Sequence, residues 1–172
     1  EKYKAYYGLE KPLSHQYRDY IGNLFRGNLG YSIYFNDTVT SIISKRVVWT
    51  IGIVLISLFI SSILGVFLGA FSAWHRNNMV DKTIYSVMIP LSEIPSFLIA
   101  TLLLFILAAG MGLFPLSGGI TVFGQYNSSL KMILDIIHHG FLPVLALTLS
   151  QIGGYYLLSR NSMITVLSKD YM

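Results

Sequence analysis

TIYSVMIPLSEIPSFLIATLLLFILAAGMGL, residues 83–113, decides the fold. A membrane-spanning helix needs about 20 mostly apolar residues, and this stretch has length to spare. It carries two prolines, Pro90 and Pro95, with one acid, Glu93, between them. Each proline removes a backbone donor and crowds the preceding turn, so a kinked or broken helix is expected here. Such a break is tolerated in a bilayer only against protein or a water-filled cavity. A carboxylate inside a span is costly and marks a functional position by default. Two placements of Glu93 are open. If the span starts at Thr83, Glu93 lies roughly 15 Å along the helix, at mid-depth. If it starts near Pro90, Glu93 sits near the cytoplasmic end and reaches water by snorkelling.

The rest of the chain agrees with a membrane setting. Of 172 residues, 53% are apolar and 12% are charged, against about 25% charged in soluble domains. Mean hydropathy is +0.59. Cysteine is absent, which removes disulfide frameworks and thiolate metal sites. The net charge of +4 comes with no basic run interleaved with aromatics, so nucleic acid is not an expected partner. Membrane lipid is, because membrane proteins carry such excess in their flanks. Glu1 to Phe35 has no apolar core of a signal peptide. The chain does not begin with Met, as expected of a processed product or a fragment.

Two further apolar runs flank the first. Val47 to Ala73 has no charge, and Ser57, Ser61, Gly65, Gly69 and Ala73 recur every fourth position. That spacing makes a narrow groove where another helix can approach closely. Phe141 to Ser159 is just long enough to span, with Pro143 in its first turn, where proline is tolerated. Thr148, Gln151, Tyr155 and Ser159 form one polar stripe on it. The stripe suits a water-filled pathway or simple interhelical hydrogen bonding. The predicted architecture is an all-α polytopic membrane protein with three transmembrane helices at 47–73, 83–113 (kinked at Pro90 and Pro95) and 141–159.

The connecting segments are of different material. Residues 1–46 hold seven of the twelve basic residues. A short amphipathic helix is expected there from Pro12 to about Phe25, with Leu13, Tyr17, Tyr20 and Leu24 on one face. Residues 74–82 form a short loop in which Trp74 fits an interfacial anchor and His75 a solvated position. In 114–140, Leu130 to His139 suits an amphipathic helix lying on the membrane. His138 and His139 point about 100° apart on a helix and make poor joint metal ligands. Arg76, Lys82, Arg160 and Lys169 place 74–82 and the 160–172 tail in the cytoplasm by the positive-inside rule, while Lys45 and Arg46 argue the other way. Segments 1–46 and 114–140 are then extracytoplasmic.

No phosphate-binding loop, serine-nucleophile elbow, zinc-protease motif or paired-carboxylate site occurs. No cofactor or metal is expected in this chain. Passage or assembly is favoured over catalysis.

Tyr7-Gly-Leu-Glu-Lys-Pro-Leu13, Gln16-Tyr17 and Gly27-Asn-Leu-Gly-Tyr-Ser32 resemble the external segment of the permease subunits of bacterial ABC importers for dipeptides and oligopeptides. Gly65 and Gly69, Val80-Asp81-Lys82, Ile94-Pro95-Ser96-Phe97, Leu113-Phe114-Pro115, Gly118 and Leu142-Pro143-Val144-Leu145 continue the resemblance. So do Arg160, Ser162-Met163, Val166-Leu167 and Asp170-Tyr171, which resemble the stretch leading to the loop that docks on the ATPase. The family commonly has a neutral residue where Glu93 stands, so the resemblance gives Glu93 no role. It has about six spans, so this chain resembles an internal piece of one subunit, without its own coupling to ATP hydrolysis.

The resemblance implies a multi-pass permease of the bacterial cytoplasmic membrane. Its implied partners are a second homologous permease, two cytoplasmic ABC ATPases and an extracytoplasmic peptide-binding protein. Ser92 and Glu93 at the kink, with Thr148, Gln151 and Tyr155 on the stripe, are the expected pathway residues. A permease of the same family for nickel or another small solute is the near alternative. A channel or membrane scaffold is the distant one.

Overall fold

The computed structural model describes residues 12–122, 124 and 126–168. The Tyr7–Lys11 part of the external motif, Lys169 and Asp170-Tyr171 lie outside the described residues. The chain divides into two compact units, Glu1–Thr50 and Ile51–Met172.

In the first unit, α1 runs over Leu13–Phe25. Pro12 stands at its N-cap, where a missing N–H costs nothing, and the Pro12 carbonyl accepts from His15 and Gln16. The face of Leu13, Tyr17, Tyr20 and Leu24 is exposed. Gly27, at φ +77°, ends the helix. A two-residue hairpin follows, β1 (Tyr31–Ser32) against β2 (Asp37–Thr38), pairing Tyr31 with Thr38 and Ser32 with Asp37. Asp37 gathers the turn: it accepts from Lys45 at 2.9 Å, from Ser41 at 2.8 Å and from the Thr38 N–H at 2.8 Å. These donors, Lys45 foremost, hold its carboxyl below the usual carboxylate range.

The helix α2 spans Val39–Trp74, eight residues longer at its start than the apolar run. The Thr38 hydroxyl accepts from the Ser41 N–H at 3.2 Å, an N-cap that sets the start before Lys45 and Arg46 are reached. The apolar run marks where a helix can meet lipid, whereas the cap marks where it begins.

In the second unit, the Asn78 side chain accepts from the Met79 N–H and starts α3, Met79–Glu93. Val80-Asp81-Lys82 are therefore helical rather than loop. Pro90 lies inside α3, and the chain breaks at Ile94–Pro95. Ile94 is extended at ψ 122°, the conformation a following proline imposes. Beyond it, α4 covers Ser96–Leu103 and continues as a π-helical turn, Leu104–Gly110. The two arms meet at 99°.

The last helix, α5, is continuous over Ser129–Leu167. The expected surface helix (130–139), span (141–159) and the start of the tail (160–167) are one element. Gly140 and Pro143 lie within it, so Pro143 is interior rather than first-turn. A helix keeps its backbone bonds internal, which apolar surroundings demand, and the buried Leu142 and Ala146 beside Pro143 hold it in place.

The contacts give these helices their directions. Gly65 lies against Ile152, Tyr155 and Tyr156, and Gly69 against Tyr156, Ser159 and Arg160. Both sequences ascend together, so α2 and α5 are parallel. Between them the chain must return to the opposite end. The bent pair does this: Tyr85 meets Arg160, Ser92 meets Gly153, and the Leu113 carbonyl meets His138. Thus α2 and α5 are each long and apolar enough to cross a bilayer, and the bent pair α3–α4 runs back between them.

Candidate functional site

The small-residue series of α2 is buried throughout: Ser57, Ser61, Gly65, Gly69 and Ala73. Ser57 and Ser61 donate to carbonyls of their own helix, Val54 and Leu58, which satisfies their hydroxyl protons. The Ser159 hydroxyl crosses from α5 to the Val66 carbonyl at 2.9 Å. On the other side of α5, Gly153 admits the α3 backbone. A Cβ there would stand 2.6 Å from both the Met88 carbonyl oxygen and the Ser92 Cβ. Glycine is what allows α2 and α3 to close on α5.

A cleft opens beside the break. It has a volume of about 350 Å³ and is lined by Ser92, Ser150, Gln151, Gly154, Tyr155 and Leu158. That is within the range of small-ligand sites, roughly 300–1,000 Å³. Ser92 donates to Ile89 and Ser150 to Leu147, which leaves oxygen lone pairs for a guest. Gln151 and Tyr155 bond to no other described side chain, so an amide and a phenol are available there. Three of the five expected pathway residues, Ser92, Gln151 and Tyr155, therefore share one cleft. Thr148 does not line it: this residue is 5% exposed, and its hydroxyl has no partner among the described residues. Glu93 does not line it either, but is exposed next to it at the end of α3.

At the far end of the same helices lies a polar cluster that the sequence reading missed. Asp81, 4% exposed, receives Arg160 through two bonds of 2.8 Å, Nε to one oxygen and Nη2 to the other. Ser72 donates to Asp81 and shares a 2.8 Å bond with the fully buried Tyr156. The Arg160 guanidinium lies 4.9 Å over the Tyr85 ring. The ion pair ties α3 to α5, and the Ser72 hydroxyl adds α2. The available signal was spacing: Asp81 and Tyr85, like Tyr156 and Arg160, are four apart and share a helix face.

The opposite end has its own fastening. Asp135 of α5 accepts from Thr121 at both N–H (2.8 Å) and hydroxyl (2.6 Å), and from Tyr126 at 2.6 Å. The Asp135 carboxylate pushes the Tyr126 phenol upward from its ordinary value. His138 bonds the Leu113 carbonyl at 2.8 Å, and Phe114 stacks on Phe141 at 5.0 Å. Asp135→Ala should release the 114–128 loop, seen as several-fold faster protease nicking there with the helices intact; an unchanged nicking rate would show that Asp135 does not hold it. Among the described residues, no three metal-ligating side chains converge.

Comparison with known proteins places residues 65–172 within a family model described as binding-protein-dependent transport system inner membrane component. The dipeptide transport system permease protein DppB of Lactococcus lactis is 32% identical over 98% of this chain and 51% of its own length. The oligopeptide transport system permease protein AppB of Bacillus subtilis is 30% identical over 100% of this chain and 53% of its own length. The chain spans about half the length of the curated relatives it matches.

Proposed function

The chain belongs to the family of binding-protein-dependent transport system inner membrane components, and from that premise we propose that it forms part of the translocation pathway of an ATP-driven importer for dipeptides or oligopeptides. The observation that carries the cargo class is the similarity, along almost the whole chain, to permeases named for dipeptide and oligopeptide transport. The complete protein pairs with a second permease, draws on two cytoplasmic ATPases and receives cargo from an external binding protein. It is a multi-pass protein of a bacterial cytoplasmic membrane, with the Asp81–Arg160 end toward the cytoplasm and the Asp135 end outside.

The cleft supports this reading because its chemistry suits a peptide backbone. An amide is both donor and acceptor, and Gln151 offers both. The cleft also lies at a helix break, where a membrane protein tolerates irregular backbone next to a cavity. Alternating access would act on this point, since the arms α3 and α4 are joined only through Ile94 and Pro95.

The test is uptake of a labelled dipeptide by cells lacking the full-length gene, with and without its return. Peptide uptake should be lost and restored, and Gln151→Leu should lower it about tenfold at unchanged membrane level. Loss of nickel uptake alone would keep the machine and change the cargo. Loss of neither would overturn the importer reading for both solutes.

A further inference from the structure

Glu93 stands where a carboxylate is expensive. Ser92 packs against Gly153 and shares the cleft with Ser150 and Gln151. The apolar run of α5 extends from Phe141 to Ser159, and its centre is residue 150. At about 1.5 Å of rise per residue, Gly153 is only about 4.5 Å from that centre. Glu93 is therefore at mid-depth, the first of the two placements open from sequence.

Three features make this position negative and unsatisfied. No described residue gives Glu93 an ion pair or hydrogen bond. Glu93 ends α3, where the dipole already presents partial negative charge, about half an elementary unit. Pro95 has no N–H to return to the last turn, so the break leaves carbonyl oxygen unbonded within the helix. A carboxylate at this depth faces protein or water rather than lipid. What would satisfy it is a positive charge from outside these residues.

We propose that Glu93 and the carbonyl end of α3 bind the positively charged group of the cargo, the free terminal ammonium of a peptide, while its backbone amide lies in the Ser92–Gln151–Tyr155 cleft. This rests on the peptide-import reading. An ammonium has three donors and no acceptor, which matches a carboxylate set among free carbonyls. Binding would be transient, as passage requires, because Glu93 is exposed and the charge pair is partly hydrated.

The test uses cells expressing the full-length permease, with membrane levels matched by immunoblot. Uptake of a labelled dipeptide with a free amino terminus is compared with that of its N-acetylated form. Glu93→Gln should reduce uptake of the free form about tenfold and spare any uptake of the acetylated form. Glu93→Asp, which keeps the charge, should stay within about threefold of wild type. Wild-type uptake of the free form by Glu93→Gln overturns the inference and leaves the importer reading intact. Equal loss of both forms also overturns it, and assigns Glu93 to an ion pair with a neighbouring subunit. Absence of peptide uptake by the wild type removes the importer reading and this inference together.

Discussion

Arg160→Met will destabilise the folded protein by about 3–5 kcal/mol, the range for removing one partner of a buried ion pair. The Arg160 side chain is 16% exposed and that of Asp81 6%. Without the guanidinium, Asp81 keeps only the Ser72 hydroxyl as a side-chain donor, too little for a carboxylate out of water. The damage reaches three helices, because Ser72, Asp81 and Arg160 belong to α2, α3 and α5. Replacing both charges, as Asp81→Leu with Arg160→Met, should recover most of the loss, since an apolar pair leaves nothing unsatisfied. Melting of the purified full-length protein in detergent measures both. A single variant that melts with the wild type would refute the assignment. So would a double variant no better than the single, because the cost would then not be an orphaned charge.

The second large effect concerns Gly69. A Cβ built there falls 2.5 Å from the Tyr156 carbonyl oxygen and 2.8 Å from the Ser159 Cβ. The closest obstacle is backbone, which cannot swing aside as a side chain can. Gly69→Ala should therefore part α2 from α5 and cost about 1–3 kcal/mol, as overpacking does. Gly65→Ala should act likewise, with Tyr155 Cβ at 2.5 Å and the Ile152 carbonyl oxygen at 2.8 Å. The contrast is Gly52 on the same helix, where a Cβ meets nothing within 4 Å. Gly52→Ala should stabilise by about 0.5–1 kcal/mol through helix propensity alone. If all three variants shift the melting temperature alike, close approach is not what selects glycine at Gly65 and Gly69.

Much of this fold could be read directly from residue type and spacing. Three apolar runs marked α2, the bent pair α3–α4 and α5, and the proline pair marked the break. The four-residue spacing of Ser57, Ser61, Gly65, Gly69 and Ala73 marked the face that packs. Helix ends were harder. The expected starts at 47 and 83 and the expected end at 159 stop at Arg46, Lys82 and Arg160, because charge limits what lipid accepts but not what a helix accepts. The starts follow capping side chains instead: Thr38, Asn78 and Ser128. Continuity of α5 through Gly140 and Pro143 also went against local signals. Of the site, the residues Ser92, Gln151 and Tyr155 were legible as polar positions in apolar helices. Their sharing of one cleft was not.

The sequence by itself determined that this chain lies in a membrane, that it is helical, and that its second apolar run is broken near Glu93. Those properties depend on transfer free energy and on proline's missing donor, which act over one or a few turns. Tertiary structure alone decided that Ser92, Gln151 and Tyr155 share one cleft. It alone decided that Asp81 meets Arg160 across 79 positions of chain. These depend on the register in which glycine lets one helix slide against another, and that register is a property of the packed pair rather than of either strip of sequence.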